Sequence, residues 1–122
     1  MSQRHEVRAW RQQASFDANT ATLRADAHRV RLQLDQMAPN VLNLHTVCGV
    51  FLNDLAAANS SLPTPDSTAS ALLARAYGDL GAAGTLCYHD PATPAKRARA
   101  LRWLVRGANE LLLGATRLRA VS

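Results

Sequence analysis

The stretch VLNLHTVCGVFLNDLAAANSSLPTPDS, residues 41–67, decides the fold class. Val41, Leu44, Cys48, Phe51, Leu55 and Ala58 recur in alternating steps of three and four, the spacing of one buried face on an α-helix. The following NSSLPTPDS combines two prolines with serines and a threonine, residues that favour turns. A loop is expected there, with Asp66 or Ser67 as the N-cap of the next helix.

The same rhythm extends in both directions. Upstream, Phe16, Thr20, Leu23, Ala27, Val30, Leu34 and Met37 mark a first seam. Ala38-Pro39-Asn40 then stops and restarts the helix, because Pro39 disfavours helical geometry at its predecessor and Asn40 is a good cap. Downstream, Ala69, Leu72 or Leu73, Ala76, Leu80, Ala83 and Cys87 form a third seam. Gly78, Gly81 and Gly84 weaken it, each at about 1 kcal/mol relative to alanine. The helix is expected either to break early or to use those glycines for the close approach of a neighbour. His89, Asp90, Pro91 and Pro94 end it, and Thr93 caps a last helix with Pro94 at its first position. Leu101, Leu104, Ala108, Leu111, Ala115 and Leu118 are the fourth seam.

Four amphipathic helices on short connections predict an all-α protein, an antiparallel up-down-up-down four-helix bundle over residues 16–122. Residues 1–15 form an N-terminal helical arm whose Val7, Trp10 and Ala14 lie about 100° out of phase with Phe16. It is either a kinked extension or a separate short helix. Trp10 either folds back over the bundle end or forms an interface with a second subunit.

A chain of 122 residues suits one domain with a real core. Its longest apolar run falls far short of the roughly 20 residues that span a bilayer, so no transmembrane segment is expected. The first residues, MSQRHEVRAWRQQ, lack the apolar region of a signal peptide, which points to the cytoplasm. Two cysteines in a chain able to build a core are read as reduced thiols rather than a bridge.

Net charge is +5, and the excess sits in the last quarter. From Ala92 to Ser122, Lys96, Arg97, Arg99, Arg102, Arg106, Arg117 and Arg119 stand against Glu110 alone. On a helical wheel Lys96, Arg99, Arg102, Arg106, Arg117 and Arg119 fall opposite the apolar seam, with Leu113 among them and Trp103 at the edge. A charged outer face is ordinary for a surface helix. A single-sign face interleaved with apolar residues favours contact with an acidic partner. These residues are the expected partner-binding surface, the partner being an acidic protein. The alternative is sequence-independent nucleic-acid binding through the same helix, although no helix-turn-helix, zinc-finger or stacking-sheet signature supports it.

His45-x-x-Cys48 and Cys87-x-His89 carry four zinc-type ligands. If the two helices pair about a turn centred between Leu62 and Pro63, Cys48 faces Tyr77 and Cys87 faces Ala38, leaving the cysteines about 15 Å apart along the axis. That separation excludes a shared metal and a disulfide alike. No metal and no cofactor are expected. The acids are dispersed, without a GxSxG elbow or phosphate loop, so an enzyme is disfavoured. Asn53, Asp54, Asn109 and Glu110 are read as solvent-facing. The expected function is a non-enzymatic interaction or regulatory protein, a homo-oligomer among the possibilities, with a small-molecule-binding or enzymatic bundle as a further alternative.

Overall fold

The computed structural model describes residues 3–89 and 93–122. It is all-helical, with α1 (Gln3–Gln13), α2 (Phe16–Leu34), α3 (Val41–Asn59), α4 (Ser67–His89) and α5 (Pro94–Ala120) packed together. Asp90 and Pro91, expected to help end α4, lie outside the described residues. His89, expected in a loop, is instead the last residue of α4.

The capping logic holds. Asn40 accepts from the Asn43 amide at 3.1 Å, and Thr93 accepts from the Lys96 amide at 3.2 Å with Pro94 in the first turn. Of the two candidate caps for α4, Asp66 is the one used, its Oδ2 accepting from the Ala69 amide at 2.9 Å. The arm is a separate helix. Ser15, at φ 51°, adopts a left-handed conformation rare for a residue with a Cβ, and the bend there accounts for the phase break before Phe16.

Every seam position of α4 is buried, with Leu73 chosen over Leu72, and in α3 only Val41 is exposed. Met37 is a correction: α2 ends at Leu34, and Met37 stands 98 % exposed beyond it. The glycine expectation holds in part. α4 runs unbroken through Gly78, Gly81 and Gly84, and only Gly84 meets a neighbour, Leu52. The close-approach reading thus holds at Gly84, where a Cβ would stand 2.9 Å from a Leu52 methyl, and closer approaches lie in α5, where a Cβ on Gly107 would stand 2.6 Å from Leu80 Cγ and one on Gly114 2.7 Å from a Leu73 methyl. Those glycines are core residues, so the buried stripe of α5 is Ala100, Leu104, Gly107, Leu111, Gly114, Ala115 and Leu118, with Ala108 outside it.

The largest correction concerns the cysteines. Cys48 and Cys87 form a disulfide with Cα atoms 6.1 Å apart, and both residues are buried. Cys48 therefore meets a residue ten positions beyond Tyr77. The error lies in the assumed pivot: the loop does not turn about its midpoint. Its polar groups hold it in a fixed shape, with Thr64 Oγ1 donating to the Asp66 carbonyl at 2.8 Å and the Thr64 amide donating to Ser70 Oγ at 2.9 Å. In the observed register Asn59 stands level with Ala76, so the first turns of α4 extend roughly 13 Å past the end of α3.

α1 caps that extension. Val7 is fully buried in the common core. The Trp10 indole donates to the Ser61 carbonyl at 3.1 Å and packs against Phe16. Arg11 reaches Asp17 and the Ser122 hydroxyl.

α3 is the one helix among the described residues long and apolar enough to cross a membrane. Its Leu44, Cys48, Phe51 and Leu55 are packed into the core while Val41, Leu42 and Val50 are exposed, and one such helix makes no clear transmembrane segment.

Candidate functional site

The proposed surface is built on α5. Arg99, Arg106 and Leu113 recur every seven residues, two helical turns apart, and Arg102 fills the gap between the first two. All four are exposed, Leu113 at 56 %. Trp103 is half-buried against the core, with the Arg106 guanidinium carbon 5.0 Å from its ring centroid, a cation–π arrangement that holds the charge over the indole. Arg99, Arg102, Trp103 and Arg106 together line a depression of about 170 Å³. Lys96 and Arg119 are also exposed, the latter donating to Thr116 Oγ1 at 3.4 Å.

Arg117 does not belong with them. Its Nε and Nη2 each donate to the buried Asp66 carboxylate at 3.0 Å, a bidentate clamp across the start of α4 and the end of α5. The amide of Gln3 completes the cluster at 3.1 Å. Hydrogen bonds from Arg117 first, then from the Ala69 amide and Gln3, outweigh burial and hold the Asp66 carboxyl below its usual range. Trp10, the other interface candidate, has its indole N–H engaged within the chain. The sequence marked Asp66 as a cap, but no local pattern links it to a residue 51 positions away.

The acids were misplaced in the sequence reading. Glu110 is not solvent-facing: its Oε2 is buried, no described residue donates to it, and it lies beside Asp79 of α4. Burial, then Asp79, pushes its carboxyl up to about 6, against the opposing pull of Arg75 and Arg106. Asp26 of α2 repeats the arrangement. Its Oδ1 accepts from Arg29 at 2.6 Å, while its buried Oδ2 receives no described donor. Burial, then Asp54 of α3, pushes it up to about 6. Ionised carboxylates only accept, so a proton taken up by either pair as pH falls towards 6 would supply the missing donor. The clue was available: Asp26 falls three after Leu23 and four before Val30, on the seam itself.

The metal candidates resolve differently from the expectation, since the cysteines do meet but spend their sulfurs on the bridge. His45 stacks on Tyr88 at 3.9 Å between centroids, with Nδ1 3.3 Å from the Tyr88 carbonyl oxygen. Among the described residues, no group of three or more His, Cys, Asp or Glu side chains is placed to hold a metal ion.

A second concave feature lies between α2 and α5, which touch far less extensively than α4 and α5 do. Here a groove of about 300 Å³ opens over Leu23, Leu80, Leu104 and Leu111, with Arg24, His28 and Arg31 along the α2 side. No family model, curated protein or solved structure matches the chain.

Proposed function

We propose that this protein is a non-enzymatic interaction or regulatory protein that presents the basic, partly apolar face of α5 to an acidic protein partner. One observation carries the reading: Glu110, the only acid between residues 92 and 122, is turned against Asp79 and within the field of Arg106 alone among the outer arginines, leaving Arg99 and Arg102 with no acid of their own helix beside them. Arginine around a half-buried tryptophan, beside an exposed leucine, is the composition enriched at protein interfaces.

The scaffold in this proposal is an antiparallel up-down-up-down four-helix bundle of α2–α5, with α1 as a capping arm. The paired positions Cys48/Cys87, Leu52/Gly84, Leu80/Gly107 and Leu73/Gly114 support opposite chain senses. The bridge bears on the compartment. Disulfides persist in oxidising surroundings, so the Cys48–Cys87 bridge weighs against the cytoplasmic placement expected from the first residues.

The test compares the native chain with a variant carrying Arg99→Glu, Arg102→Glu, Arg106→Glu and Leu113→Glu, by pull-down and light scattering. Loss of a discrete complex in the variant supports the proposal; unchanged partners and unchanged mass remove it. Light scattering of the native chain reads self-association directly. Nucleic-acid binding through the same arginines predicts mobility shifts that weaken with salt at a log–log slope of about −0.9 per phosphate. No shift at low salt ends that alternative.

A further inference from the structure

The groove between α2 and α5 is separate in its chemistry from the outer face of α5. Its floor is four buried leucines, two from α5 and one each from α2 and α4. Ala27 and Ala108 line it with the smallest of side chains, which leaves the space open, and Val105 and Leu112 stand exposed at its edge, at 43 % and 53 %. The α2 wall is of another kind. Arg24, His28 and Arg31 follow one another at steps of four and three, so all three line the same side. The ion pair from that wall, Arg31 Nε to Asp35 at 3.9 Å, is exposed and long.

Size selects among occupants. From Leu104 to Leu112 the groove is about 12 Å long at 1.5 Å per residue. The observed 300 Å³ falls at the lower end of small-molecule sites, which are typically apolar with a few convergent polar groups. Charge selects the head group: the polar wall is cationic.

We propose that this groove binds a small amphiphilic anion, a medium-length apolar chain lying over Leu23, Leu104 and Leu111 with one anionic head group held at the α2 wall by His28 and one of its flanking arginines, Arg24 or Arg31. The apolar body displaces water from the leucine floor, and the guanidinium group offers charge-assisted hydrogen bonds to a carboxylate or sulfate. His28 sits between the two arginines as the second donor when protonated. The site does not depend on the reading of the outer α5 face.

The probe is dansyl-undecanoate, followed by fluorescence enhancement on titration with the bridged full chain. Saturable binding is expected, displaced by decanoate and by decyl sulfate, with decanol at least about tenfold weaker and decylamine inert. Comparing decanoate with decyl sulfate distinguishes a carboxylate site from a general anion site. Ala108→Phe fills the groove from an exposed position and is expected to weaken binding at least about tenfold, as is Arg24→Glu with Arg31→Glu. Arg99→Glu with Arg102→Glu, which addresses the outer face, leaves the probe affinity unchanged. Circular dichroism checks that each variant is folded. Non-saturable binding, equal displacement by decylamine, or indifference to Ala108→Phe in a folded variant overturns the proposal. So does a Leu/Glu amphipathic peptide that competes for the groove where decanoate does not.

Discussion

α4 has two neighbours and is joined to them by different means. Toward α3 the contact is covalent, the Cys48–Cys87 bridge with the His45–Tyr88 stack beside it. Toward α5 it is steric and electrostatic: Leu80 and Leu73 fill the space left by Gly107 and Gly114, and Asp66 grips Arg117 at the far end. The first interface also has close approaches, but at Gly84 and Gly49 an added Cβ meets only side-chain atoms, of Leu52, Phe51 and Tyr88. The second depends on backbones being close, so one added carbon is felt there.

The largest effect is expected from cutting the covalent contact. Replacing Cys48 and Cys87 together by serine opens a loop closed across a sequence separation of 39, and unfolding stability should fall by about 2–4 kcal/mol in denaturant titration. A change below 1 kcal/mol would show that packing alone sets the α3–α4 register.

Next comes the glycine contrast. Gly107→Ala places a Cβ within 2.6 Å of Leu80 Cγ and 2.9 Å of the Leu80 backbone nitrogen, which cannot swing away. Overpacking of about 1–3 kcal/mol is expected. Gly78→Ala, in the same kind of helix but with nothing within 4 Å, should instead stabilise by about 0.5–1 kcal/mol. Shifts in Tm of opposite sign, the loss at Gly107 the larger, would sharpen the comparison, and stabilisation by both would break it.

The smallest effects are electrostatic and have opposite signs within the α4–α5 interface. The Asp66 carboxyl is lower in the folded state than unfolded, so its contribution is present above about pH 4 and is lost as pH falls through the folded value. Asp66→Ala removes that acid sensitivity and the helix cap, the cap alone costing about 1 kcal/mol at pH 7. Glu110 is raised to about 6, so the stabilisation from its protonated form is complete below about pH 4 and lost as pH climbs through 6. Glu110→Gln, which supplies a permanent donor toward Asp79, should raise Tm at pH 8 and leave it little changed at pH 4. A variant equally affected at both pH values would mean that the pair shares no proton.

The buried positions and the caps were legible because they are local. Asn40, Thr93 and Asp66 cap helices with their own side chains, and the seams of α3 and α4 follow from 3.6 residues per turn. In α5 the seam is legible at Leu104, Leu111, Ala115 and Leu118, but Gly107 and Gly114 are buried beside them without any hydrophobic signal, and Ala108 is exposed. The outer arginines could be found by the same wheel. Arg117 looked identical to them, and only its partner distinguishes it.

The amino-acid sequence by itself determined that this chain is helical, where most helices begin and end, and which side of α5 is cationic, since each depends on residues within a turn or two of one another. Tertiary structure decided the rest: the ten-position shift that brings Cys48 to Cys87, the clamp of Arg117 on Asp66, the pairing of Glu110 with Asp79, and the open groove between α2 and α5. Helix register is set by loop shape and by side chains meeting across tens of residues, and a period of 3.6 is the same at every register.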